Sequence, residues 1–144
     1  MIRTTEIAPG LAIAAQIKAD DVAALAEQGV RTIINNRPDG EEASQAPAAV
    51  VGDEAKKHGV AYIYLPVTTA TISTADVAAF DRALEESAKP IVAHCRSGSR
   101  TYHLWAAAEA LNRKVDPAAL VSEAAAKGFD LKALPDIVAR LKRG

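Results

Sequence analysis

Ile91-Val92-Ala93-His94-Cys95-Arg96-Ser97-Gly98-Ser99-Arg100-Thr101 passes from an apolar run ending in His-Cys, through a tight Gly/Ser loop, into a helix. A strand–loop–helix turn of this kind aims several backbone N–H groups at one point, with the positive end of the helix dipole behind them. Arg100, at the start of the helix, adds a planar two-pronged donor. The expected product is an anion cradle with the Cys95 sulfur at its floor and Arg96, Ser97, Gly98, Ser99 and Arg100 as its wall. The same surroundings favour the thiolate, the nucleophilic form of the side chain. A lone cysteine is ordinarily a small buried hydrophobe. One that ends a strand and enters a Gly/Ser loop between arginines is poorly placed for packing, and Cys95 reads as catalytic. Thr101 is placed to donate a hydrogen bond to the sulfur, and His94 to tune or hold the loop. His58 and His103 fall on helices and read as solvent-facing or packing residues.

Working outward, short runs rich in Ile, Val and Tyr predict strands at Leu11–Ala15, Thr32–Asn35, Ala61–Leu65 and Pro90–His94. Helical spacing predicts Ala19–Gln28, Pro47–His58 and Ser73–Ser87 between them, the last opened by Ser73 and Asp76 as an acidic capping pair. The final third is helical throughout: Ser99–Leu111, Pro117–Lys127 and Leu131–Lys142, broken at Asp116-Pro117 and at Gly128. Alternating strands and helices imply a three-layer α/β fold, a mostly parallel sheet of about four to five strands flanked by helices. Such sheets place their sites in loops at the carboxyl ends of the strands. Two such loops are candidates beside the cysteine loop: Asn35-Asn36-Arg37-Pro38-Asp39-Gly40-Glu41-Glu42 and Leu65-Pro66-Val67-Thr68-Thr69-Ala70-Thr71. Turn formers alone also explain the first as a solvated connection.

The 144 residues suit one domain, 1–144, and 49% apolar with 24% charged residues is too apolar for disorder. Seventeen Lys and Arg against eighteen Asp and Glu leave a net charge of −1, with no footprint for nucleic acid or an anionic membrane. No apolar run approaches the ~20 residues of a membrane span. The start, Met-Ile-Arg-Thr-Thr-Glu, lacks the apolar core of a signal peptide, and one cysteine forms no internal disulfide; both fit a cytoplasmic protein. No Cys/His cluster has metal-ligand spacing, so neither metal nor other cofactor is expected.

His94-Cys95-Arg96-Ser97-Gly98-Ser99-Arg100-Thr101 resembles the phosphate-binding loop of cysteine-dependent phosphatases, and in its length the loop of the rhodanese sulfurtransferases. With Leu11–Gln16, Gly29–Asn35, Arg37-Pro38-Asp39-Gly40-Glu41-Glu42 and Tyr64-Leu65-Pro66-Val67, it is similar to the bacterial phosphatase-like domain of beta-lactamase hydrolase-like proteins. The resemblance runs from about 5 to 111 and leaves the helices of 117–142 outside it. It implies a cysteine-phosphatase-like, dual-specificity type of fold.

Two departures separate the activities this family suggests. Such phosphatases keep five residues between cysteine and arginine; here only Arg96, Ser97, Gly98 and Ser99 intervene, as in rhodaneses. They also carry an aspartic acid after the preceding strand, where this chain has Thr68 and Thr69, and threonine does not protonate a poor leaving group at useful rates. Persulfide transfer needs no such acid. The expectation is therefore a sulfurtransferase that passes sulfane sulfur through a Cys95 persulfide held by the loop and Arg100. It would use a small-molecule sulfur donor, a thiol acceptor and a partner enzyme of sulfur metabolism. The alternative is a phosphomonoesterase acting on a phosphate ester through a Cys95 phosphocysteine, with Asp39, Glu41 or Glu42 as candidate acids. A third reading is an anion-binding module with an inert cysteine.

Overall fold

The computed structural model describes residues 2–144. The strands are β1 (Thr4–Ala8), β2 (Leu11–Ala14), β3 (Thr32–Asn35), β4 (Ala61–Tyr64) and β5 (Ile91–His94). The helices are α1 (Ala19–Glu27), α2 (Ala48–Lys57), α3 (Thr74–Glu86), α4 (Ser99–Asn112), α5 (Pro117–Ala126) and α6 (Leu134–Arg143). A short 3-10 turn, Thr69–Thr71, lies between β4 and α3. The sheet order is β1-β2-β5-β3-β4, parallel except for β1, which pairs antiparallel with β2. β1 escapes a search for apolar runs because Ile7 is its one buried residue, the strand lying at the sheet edge.

Helix boundaries follow local chemistry. At α3 the Ser73 Oγ accepts from the Asp76 N–H at 3.1 Å while the Asp76 carboxylate accepts from the Ser73 N–H at 2.9 Å, the reciprocal cap expected there. At α5 Asp116 accepts from the Ala118 N–H at 3.0 Å. The last helix departs from expectation: it begins at Leu134 rather than Leu131. Pro135 lacks an N–H and belongs in a first helical turn, so the residues before Leu134 cannot join the same helix.

α1 and α2 cover one face of the sheet through Val22, Leu25, Val51 and Ala55, with Ile17 just ahead of α1, against Ile33 and Val92. α3, α4, α5 and α6 cover the other, against Ile13, Ile34, Ile91 and Ala93. α4 is buried on most sides, with Ala106, Ala107 and Ala108 at 1% exposure or less. Its alanines let it lie close to the sheet and to the helices around it. Among the described residues no helix is long and apolar enough to cross a membrane.

Candidate active site

Ala14, His94, Asn35 and Tyr64 stand level across the sheet, so four strands release their chains at one edge. Backbone bonds then tie the emerging loops together. The Gln16 N–H donates to the Arg96 carbonyl at 3.2 Å, Asn36 to His94 at 2.8 Å and Val67 to Asn36 at 3.0 Å. Gln16, Arg37, Val67 and the cysteine loop meet there because of strand register, not sequence proximity.

Cys95 is 1% exposed, and the Gly98 N–H donates to its Sγ at 3.1 Å. Gly98 has φ +97°, a left-handed conformation that bends the chain back over the sulfur and suits glycine alone. The helix that follows begins at Ser99, as a dipole directed at the loop requires. His94 is fully buried, and its Nδ1 donates to the Cys95 carbonyl at 3.2 Å, which leaves Nε2 without a proton. Burial pushes its pKa down to about 4 against the opposing effect of that bond, so the ring is neutral at pH 7 and holds the loop.

Thr101 departs from expectation. Its hydroxyl donates to Asn36 Oδ1 at 3.0 Å rather than to the sulfur. Asn36, fully buried, also donates through Nδ2 to the Leu65 carbonyl at 2.9 Å, and its unmet Oδ1 claims the hydroxyl. The wall of the cradle is also more backbone than side chain. Arg96 is 67% exposed and pairs with Glu42 at 2.9 Å, Ser97 is exposed, and the Ser99 carbonyl accepts from His103 Nδ1 at 2.8 Å. His103 is accordingly a buried packing residue.

Arg100 is held on two sides. Its Nη1 and Nη2 donate to the two Glu41 carboxylate oxygens at 3.0 and 3.2 Å, and Nη1 donates again to the Val67 carbonyl at 3.1 Å. A guanidinium has five N–H donors. The carboxylate takes the edge between Nη1 and Nη2, so among the described residues the Nε–Nη2 edge carries no hydrogen bond. Arg37, 3% exposed, braces the arrangement from behind. It donates to Glu41 at 2.8 Å, Glu42 at 2.9 Å and Gln16 at 3.0 Å. Burial works against the Arg37 charge, but its bonds to Glu41 and Glu42 outweigh it and its pKa is raised. Hydrogen bonds from Arg100, with help from Arg37, hold the Glu41 carboxyl below its usual range despite desolvation.

This disposes of the candidate acids. Glu41 is ionised, Glu42 bridges Arg37 and Arg96, and Asp39 accepts from the Ala48 N–H at 2.8 Å as a brace for α2. Thr68 and Thr71 bond their hydroxyls to each other. Asn36 fell within a loop already picked out as a candidate, but neither it nor Gln16 was singled out as a site residue. The one signal was a pair of asparagines ending an apolar strand, which also describes an ordinary turn.

A mostly parallel sheet with this strand order, its central strand running through a cysteine loop into a buried helix, defines a cysteine-phosphatase-like fold. The chain belongs to the phosphatase-like domain family of beta-lactamase hydrolase-like proteins, whose model matches residues 3–112. Over 130 residues it is 35% identical to the beta-lactamase hydrolase-like protein of Xylella fastidiosa strain 9a5c, which takes in 90% of this chain and 30% of that protein. The chain thus spans about a third of the length of such relatives. A solved structure named as a candidate phosphatase, from Neisseria meningitidis Z2491, superposes with a TM-score of 0.85 at 29% identity, covering 95% of this chain and 96% of that one. TpbA of Pseudomonas aeruginosa, solved with phosphotyrosine, shares the fold at 21% identity and a TM-score of 0.63, covering 94% of this chain and 90% of its own. These likenesses back the phosphomonoesterase alternative better than the sulfur-transfer expectation.

Proposed function

We propose that the chain is a cysteine-dependent phosphomonoesterase acting on small phosphate esters with good leaving groups. The observation that carries this is the open Nε–Nη2 edge of Arg100, at the end of a loop whose Gly98 N–H already points at the Cys95 sulfur. In this reading the Cys95 thiolate attacks phosphorus and the bond from phosphorus to the ester oxygen breaks, leaving a phosphocysteine and an alkoxide or phenolate. Arg100 and the loop N–H groups hold the equatorial oxygens, whose charge they stabilise as the transition state forms. Water then attacks phosphorus, the S–P bond breaks, and phosphate leaves. Arg96, Ser97 and Ser99 contribute through their backbone.

With Glu41 ionised and Asp39 and Glu42 engaged, none of the three candidate acids stands ready to protonate the leaving oxygen. Aryl phosphates, whose phenolates leave unaided, are therefore preferred to alkyl phosphates. Sulfur transfer stays as the second reading on one observation, the four residues between Cys95 and Arg100. A ring shorter by one residue offers one N–H fewer to a tetrahedral oxyanion and fits a single sulfur well.

Side-by-side turnover of p-nitrophenyl phosphate and thiosulfate by one preparation, with mass analysis of trapped Cys95, decides between them. A phosphoryl adduct and release of nitrophenolate are expected. A persulfide formed from thiosulfate, with no phosphate turnover, would transfer the assignment to sulfur.

A further inference from the structure

We infer that α5, α6 and the segment joining them belong to the working site, with Phe129 and Arg140 as positioning residues that clamp the two loops holding Cys95 and Arg100. Neither residue falls within the stretch 3–112 that the family model matches, yet each reaches one of these loops.

Phe129 lies between α5 and α6, its backbone N–H donating to the Ala124 carbonyl at 2.9 Å. Its ring packs on Tyr102 of α4, with centroids 5.4 Å apart. It also closes the outer side of the cysteine turn, since a Cβ placed on Gly98 would stand only 3.1 Å from Phe129 Cε1. Gly98 is the residue whose N–H reaches the sulfur, so the ring backs the bend that delivers that donor.

Arg140 acts on the second loop. Its Nη1 donates to the Ile72 carbonyl at 2.8 Å across 68 residues of sequence. At the other end of the same segment, the Val67 carbonyl accepts from Arg100 Nη1 at 3.1 Å. Between them the Thr71 N–H donates to the Thr68 carbonyl at 3.0 Å, making one tight unit gripped by an arginine at each end. α6 is anchored by Leu134, Ile137, Val138 and Leu141, all buried, so the reach of Arg140 is fixed. If residues 67–72 drift, Arg100 loses its backbone partner and pivots on Glu41 alone. The clamp therefore sets the direction in which the free edge of Arg100 points.

The test compares the parent with Arg140→Met, Arg140→Lys, Phe129→Leu and a control, Lys142→Met, exposed on the same helix. Amide hydrogen exchange over 66–73 should speed up roughly tenfold in Arg140→Met, the loss of one charge-assisted hydrogen bond. Arg140→Lys should recover part of the protection and Lys142→Met should match the parent. Phe129→Leu should change the rate of Cys95 alkylation by iodoacetamide by roughly threefold. Vanadate should inhibit Arg140→Met roughly tenfold less well, with KM for p-nitrophenyl phosphate rising more than kcat falls. That kinetic arm rests on the phosphomonoesterase reading, whereas exchange and alkylation do not. A parent that neither binds vanadate nor turns over the ester sinks the phosphatase reading and leaves the clamp to be judged by the other two measurements. Unchanged exchange in Arg140→Met, an equal effect from Lys142→Met, or unchanged alkylation in Phe129→Leu overturns the clamp.

Discussion

The loop after β5 and the loop after β3 lie side by side at one edge of the sheet and are built in opposite ways. The cysteine loop presents backbone: a glycine N–H at the sulfur, with the Arg96 and Ser97 side chains turned out to solvent. The β3 loop presents side chains: Asn35, Asn36 and Arg37 are each 3% exposed or less and hydrogen-bonded to partners from other elements. In the proposed reading one supplies the reagent and the other the frame that keeps it aligned. Replacing a reagent should destroy chemistry and spare the fold, whereas damage to the frame should appear first as lost stability.

Cys95→Ser is the most extreme case. Turnover of p-nitrophenyl phosphate should fall by roughly 10³-fold or more, with thermal unfolding close to that of the parent. Retained turnover would remove Cys95 from the chemistry and dissolve the contrast. Next in size, Arg100→Lys keeps the charge but loses the fork shared between Glu41 and an oxyanion. Activity should drop by roughly 10²-fold, since lysine cannot satisfy Glu41, the Val67 carbonyl and substrate at once. A lysine variant as active as the parent would reduce Arg100 to part of the frame.

His94 tests the boundary between the two roles through pH. The unfolded ring takes up a proton near 6.5, the folded one only near about 4, because burial disfavours the charge. Its contribution to stability is therefore complete above pH 6.5 and is lost as pH falls toward 4, amounting to about 3 kcal/mol at the lower end. Glu41 adds to the decline at lower pH, since its depressed carboxyl supports the fold above its unfolded pKa and that support goes as pH drops through the folded one. His94→Asn keeps a donor for the Cys95 carbonyl without the titrating ring and should flatten the upper part of the decline. Urea unfolding at about pH 7 and about pH 5 measures it, and an equally steep decline in the variant refutes the assignment.

The smallest effect separates the expected role of Thr101 from the observed one. Thr101→Val leaves the buried Asn36 Oδ1 without its donor and should cost about 1–2 kcal/mol in unfolding free energy. The pH profile of Cys95 alkylation should stay where it is. A displaced profile would restore a direct bond from Thr101 to the sulfur.

Much of the fold was legible because its signals are local. The apolar runs of β2 to β5, the caps at Ser73 and Asp116 and the break at Gly128 each depend on residues within a few positions of one another. The cysteine loop was legible for the same reason, since six consecutive residues contain the cysteine, the left-handed glycine and the arginine. β1 was missed because an edge strand need not be apolar, and the start of α6 was misplaced because Pro135 outweighs the hydrophobic spacing before it.

By itself the chain of residues therefore determined the elements, their alternation and the make-up of the cysteine loop, all through interactions over a few residues. The partners of each group were decided only by the tertiary structure. Strand register brought Gln16, Arg37, Glu41, Val67 and Arg100 to one edge, 21 residues separating the first two and 59 the pair Glu41 and Arg100. A hydroxyl or carboxylate is drawn to whichever unmet polar group lies within about 3 Å once water is excluded. Distances of that kind between remote segments are fixed by how the sheet pairs and the helices pack, which is why Thr101 turned to Asn36 and Glu41 became the ionised brace of Arg100.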